Sequence, residues 1–141
     1  MSAFNKILVA YDGSAHSERA LELALKMAAG SDTVIGLVYA YDKAPAFLGE
    51  PDYEILTSKA VLKAQELVNG VATRLAARSV MVATNVLQGP AASAILHVAE
   101  VEQYDLIVMG SRGLSDWQGA LIGSTSHRVL HQARVPVLIV R

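Results

Sequence analysis

The sequence predicts a three-layer α/β/α sandwich built on a five-stranded parallel sheet. Two observations carry this. Five short, continuous apolar runs read as strands buried on both faces, and four stretches of helical spacing separate them. Right-handed crossovers between parallel strands then place helices on both sides of the sheet.

The elements follow in order. Lys6 to Tyr11, KILVAY, is the first run and ends at Asp12-Gly13-Ser14. Ser14 fits a helix N-cap, Ala20, Leu21, Ala24, Leu25 and Ala28 share one helical face, and Gly30 fits the stop. Thr33 to Tyr41 is the second run. DKAPAFLGEPD, with two prolines and a glycine, reads as a long loop. Tyr53 to Arg78 carries a helical pattern through Ala60, Ala64, Leu67, Val71 and Leu75, and Val80 to Leu87 returns to strand-type residues. Gly89-Pro90 opens the next helix, with proline expected at its first helical position and Ile95, Leu96 and Ala99 as the buried stripe. Leu106 to Met109 is the fourth run, Ser124 to Ala133 a short helix, and Val135 to Val140 the fifth run. With no linker and no solenoid repeat, residues 1–141 are expected to form a single domain.

Composition narrows the function. Apolar residues make up 52% and charged residues 18%, so the chain can bury a core. Thirteen acidic residues nearly balance twelve basic ones, which argues against nucleic acid as a partner and requires any anion to be held by local donors. The chain has no cysteine, so disulfides and thiolate chemistry are excluded. No stretch approaches the roughly 20 apolar residues of a membrane span, and the apolar start is too short for a signal peptide. The expectation is a soluble cytoplasmic protein with no membrane insertion.

Ligands of such sheets bind at the carboxyl ends of strands where the strand order reverses. That rule selects Asp12, the region of Tyr39, and Gly110. At the last of these, VMGSRGLSDWQGALIGSTSHRVL places Gly110 and Gly113 around Ser111-Arg112, and Gly123 just ahead of a helix. Glycine admits positive φ and close backbone approach. A helix starting after Gly123 presents the amides and hydroxyls of Ser124, Thr125 and Ser126, and Arg112 adds a charge-assisted donor. Leu121-Ile122 bring the loop back to the protein body before that helix. The spacing fits neither a P-loop, which needs a lysine where Ser124 stands, nor a GxGxxG fingerprint after the first strand. By chemistry alone, a plain turn and a phosphate cradle remain equally open.

Gly110-x-x-Gly113, nine residues, then Gly123-Ser124 resembles the ATP-binding signature of the universal stress protein family. KILVAYDGS resembles that family's first strand and turn, YDLIVMGSRG its fourth strand and VPVLIVR its last, so the similarity runs from Asn5 to Arg141. The resemblance implies a Rossmann-like, adenine-nucleotide α-hydrolase-like fold. It implies ATP as cofactor, with Mg²⁺ bound through the phosphates as an open addition. Asp12, flanked by Ala10 and Tyr11, would sit beside the nucleoside. Backbone near Tyr39 would meet the adenine. Met109, Gly110, Arg112 and Gly113 on one side and Gly123, Ser124, Thr125 and Ser126 on the other would enclose the phosphates. It further implies a homodimer through Val137 to Arg141.

Departures and plainer readings complete the picture. Tyr39 and Tyr41 are bulky for an adenine slot, and only one is expected to face it. Asp12 is also a natural turn residue, but its place on the carboxyl edge favours ligand contact. Trp117, beside Asp116 in the loop Leu114 to Ile122, is expected on the surface or against a partner subunit rather than as a lid. His127 and His131 have i, i+4 spacing but lack an HExxH glutamate, so no metal site built from protein side chains is expected; His16 and His97 read as ordinary surface or edge residues. With no evident general base or nucleophilic triad, the expected function is nucleotide-dependent regulation, through a protein partner or the dimer, rather than dedicated catalysis. The alternatives are a hydrolase-like enzyme with slow ATP turnover and a nucleotide-free dimeric interaction module.

Overall fold

The computed structural model describes residues 3–112 and 122–141. Gly113, Asp116, Trp117 and Leu121 lie outside the described residues, and so do the expectations attached to them. The chain runs β1 (Lys6–Ala10), α1 (Ala15–Ala28), β2 (Val34–Tyr41), a 3₁₀ turn (Ala46–Leu48), α2 (Asp52–Ala76), β3 (Val82–Gln88), α3 (Ala91–Val101), β4 (Leu106–Gly110), α4 (Ser124–Gln132) and β5 (Val137–Val140).

All strand pairs are parallel, in the order β3-β2-β1-β4-β5. The chain builds outward from β1 to β2 and β3, then returns to the other side of β1 with β4 and β5. The reversal therefore lies between β1 and β4, where Leu8 pairs with Ile107. This is the predicted fold.

Alternation along the central strands divides the core in two. Ile7, Val9, Leu106 and Val108 face α1 and α2, packing on Leu21, Leu25, Val68 and Leu75. Leu8, Ile107 and Met109 face α3 and α4, packing on Ile95, Val98 and Val129. Burial on both faces is why these strands read as unbroken apolar runs.

The helix signals held in detail at α1. The Ser17 amide donates to Ser14 Oγ at 3.1 Å, and Gly30 takes φ 72° just past the helix end. All five residues of its expected stripe are buried. In α2 the buried positions are Ala64, Val68, Val71 and Leu75, with Ala60 and Leu67 only half-buried. Pro90 corrects an expectation: with ψ 145° it is the extended N-cap of α3, and Ala91 is the first helical residue. The long loop contains the short Ala46–Leu48 turn. No helix among the described residues is long and apolar enough to cross a membrane.

Candidate functional site

A cleft of ≈ 260 Å³ opens at the carboxyl ends of β1, β2 and β4. From β1 it receives Ala10, Tyr11 and Asp12; from β2, Val38, Tyr39 and Ala40; from β4, Met109 and Gly110, with Arg112 just beyond. Thr125 and Ser126 of the first turn of α4 close one side, and Ala91 and Ile95 of α3 contribute apolar wall. Nine of the twelve residues singled out in the sequence thus share one cavity. Gly123 and Ser124 stand beside it, and Gly113 is outside the described residues.

The β1 side is organised by short-range hydrogen bonds. Asp12 Oδ1 accepts from the Ser14 amide at 2.9 Å, across a turn in which Gly13 adopts φ 83°. Such an Asx-type bond holds the carboxylate at the cleft rim. Tyr11 sends its side chain into the α1/α2 core, where its hydroxyl donates to Glu18 Oε1, and Glu18 also pairs with Arg74 at 3.1 Å. Burial, reinforced by the Glu18 carboxylate, pushes the Tyr11 phenol up to about 12.

The β2 side supplies Tyr39 and a residue the sequence reading missed, Asp42. Burial raises the Tyr39 phenol, and the carboxylates of Asp12 and Asp42 raise it further. Tyr39 lines the cleft and Tyr41 does not. Two residues apart, they fall on the same strand face, so position along β2 separates them, not alternation.

The β4 side corrects two chemical expectations. Gly110 does not use a positive φ, because among the described glycines only Gly13, Gly30 and Gly49 do. A Cβ at Gly110 would instead lie 2.6 Å from His16 Cβ and 2.9 Å from the His16 backbone, so this glycine admits the first turn of α1. Gly123, with φ −71° and ψ 161°, is an ordinary extended N-cap and makes no side-chain cap bond. The buried Ser126 hydroxyl donates to the Gly110 carbonyl at 2.7 Å, which commits its hydrogen. At this helix start Arg112, the Thr125 hydroxyl and the first-turn amides, which make no bonds within the helix, are donor types suited to an anion.

The buried node between Gly110 and Gly123 also escaped the sequence reading. The Gly123 amide donates to the Ser111 carbonyl, which ties the N-cap of α4 to the residue after β4. Ser111 Oγ lies 3.2 Å from His16 Nδ1. His16 is therefore no ordinary surface residue. Burial lowers the readiness of its ring to take a proton, and the positive charges of Arg19 and Arg112 lower it further. His127 and His131 are exposed and meet edge to face, with ring centroids 4.4 Å apart.

The cleft thus joins an apolar slot formed by Val38, Ile95 and Met109 to a polar end at α4, with the carboxylates of Asp12 and Asp42 also in its lining. A flat heteroaromatic group bearing an anionic tail matches that division.

Residues 3–141 match the model of the universal stress protein family. A universal stress protein of Thermus aquaticus, named for a QAH/OAS sulfhydrylase 3′ region, is 40% identical over 139 residues, covering 98% of this chain and 99% of that protein. Among solved structures, that of hypothetical protein MJ0577 aligns with a TM-score of 0.89 at 26% identity, over 96% of this chain and 94% of its own. A universal stress protein in complex with cAMP aligns with a TM-score of 0.71 at 27% identity, over 99% of each chain.

Proposed function

The chain belongs to the universal stress protein family, and from that premise we propose that it is an ATP-binding regulatory protein whose output is the occupancy of its cleft. The observation that carries this reading is a convergence. The carboxyl ends of β1, β2 and β4 and the first turn of α4, which lacks a side-chain cap, meet in one cavity with Arg112. The related structure with bound cAMP gives the reading support in the same ligand class.

In this reading Val38, Ile95 and Met109 flank the adenine, and Asp12 and backbone near Tyr39 meet the nucleoside. Arg112, Thr125 and the first-turn amides of α4 hold phosphates, with Gly123 and Ser124 completing the turn around them. Arg112 is the sole cationic side chain among the described cleft residues, against the carboxylates of Asp12 and Asp42. A Mg²⁺ ion on the phosphates offsets that imbalance. The protein acts in the cytoplasm as a single-domain homodimer paired through Val137 to Arg141, and passes its state to that dimer or to a regulatory protein.

Calorimetric titration with ATP, ADP, AMP and cAMP, with and without Mg²⁺, tests the reading. Saturable ATP binding strengthened by Mg²⁺ is expected. No binding at millimolar nucleotide overturns it, and turnover faster than about 1 s⁻¹ would make the protein an enzyme instead.

A further inference from the structure

His16 is the second residue of α1, yet it packs on the end of β4 and on the residue that follows it. Its Cβ and backbone lie over Gly110, the last residue of β4, at a spacing that no side chain at that position would allow. Its Nδ1 lies 3.2 Å from Ser111 Oγ.

Ser111 extends these contacts in two directions. Its amide donates to the Val140 carbonyl at 2.7 Å, and its carbonyl accepts from the amide of Gly123, the N-cap of α4. The Ser126 hydroxyl binds the Gly110 carbonyl, so the last residue of β4 and the one after it both hold the start of α4. One turn further along α1, Arg19 Nε donates to the Arg141 carbonyl at 2.8 Å. One face of α1 therefore grips the end of β5, while the node it rests on anchors the wall of the cleft. Among the described residues β5 pairs only with β4 and forms one edge of the sheet.

We propose that His16 is a positioning residue that couples the α4 end of the cleft to the edge strand β5. A ligand drawing on Arg112 and the first turn of α4 shifts Gly110–Ser111, and the imidazole holds Ser111 so that the shift reaches Val140 through the Ser111 amide. This inference rests on the nucleotide reading. It adds the route by which occupancy reaches the sheet edge, and it assigns His16 no contact with the ligand.

The test is hydrogen exchange of residues 135–141, read by mass spectrometry on the full chain with and without saturating ATP and Mg²⁺. In the wild-type protein ATP slows exchange there by about fivefold or more, the lower end of ordinary coupling between sites. In His16→Ala that ATP-dependent change disappears, while calorimetry gives an ATP affinity within about threefold of wild type. His16→Asn, which keeps a hydrogen-bonding atom near the Nδ1 position, restores at least half of the change, and it serves alone should the alanine variant not fold. A merely structural role would move exchange equally with and without ligand. The coupling is overturned by wild-type protein that binds ATP without altering exchange in residues 135–141, or by an alanine variant that keeps the full change. Absence of ATP binding to wild type is seen separately by calorimetry, and overturns the nucleotide reading and this one together.

Discussion

Two strand-to-helix crossings open onto the same cleft, and they end their helices differently. At β1 to α1, the Ser14 amide donates to Asp12 Oδ1, the Ser17 amide to Ser14 Oγ, and the Ser17 hydroxyl to the Ser14 carbonyl at 2.9 Å. The helix start is satisfied by its own side chains. At β4 to α4 the N-cap is a glycine with no side-chain bond, and the nearby serine hydroxyl is committed to Gly110. A helix start capped by its own side chain has spent amides on that bond, whereas one with a glycine N-cap presents the positive end of its dipole with no side-chain acceptor from the cap. The first crossing shapes the cleft, and the second presents the helix end suited to the charged end of the proposed ligand.

The sharpest way to break this division is at Gly110. A valine there must displace His16 and the α1 backbone, an overpacking that costs about 1–3 kcal/mol or more and lowers the melting temperature by roughly 3–10 °C. Normal thermal stability with lost ATP binding would show that the glycine serves the ligand rather than helix packing. Arg112→Gln tests the charged end directly. Losing a charge-assisted hydrogen bond weakens ATP by about tenfold or more and leaves adenosine binding unchanged. Equal losses for both ligands would remove Arg112 from the phosphate end.

A reciprocal pair of cap variants sharpens the contrast. Ser14→Ala removes the α1 cap and destabilises by about 1 kcal/mol in denaturant titration, with ATP affinity unchanged. Gly123→Ser supplies α4 with the hydroxyl it lacks at an extended N-cap that serine readily adopts. Stability then rises by a few tenths of a kcal/mol, at about the scale separating glycine from serine caps, while ATP binding weakens because a side chain now accepts from the same amides. A serine variant that binds ATP as tightly as wild type would mean these amides do not serve the ligand.

The architecture was legible because doubly buried strands must be continuously apolar, and the reversal of strand order beside β1 then located the cleft. Asp12 and Ser14 were legible for the same local reason, since turn and cap chemistry is written within three residues. Asp42 was not, because it opens a proline- and glycine-rich loop with no periodicity to orient it. Ile95 read correctly as core, but the pattern cannot tell that the end of its helix also walls a cavity. Gly110 is more instructive. Glycine required by a ligand and glycine required by a neighbouring helix look identical in sequence, and the 2.6 Å approach of His16 adds a packing reason that the sequence does not display. The Ser126 hydroxyl likewise reads as a donor for phosphate until its bond to Gly110 is seen.

The smallest expected effect lies where the two crossings touch. Burial, Arg19 and Arg112 all disfavour protonation of His16, and Asp12 opposes them only in part. The unfolded chain takes up this proton near pH 6.5, and the folded chain does so only at lower pH. Below about 6.5 the unfolded state therefore binds more protons, so stability falls as pH falls, until the folded ring also titrates and the loss levels off. His16→Asn removes this contribution. Urea titrations from pH 7.5 to 5 should show a shallower acid decline in the variant than in wild type, by less than the effect of removing the Ser14 cap. Parallel declines would mean that the ring is not held in its neutral form, and that the contact joining the two crossings tolerates a proton.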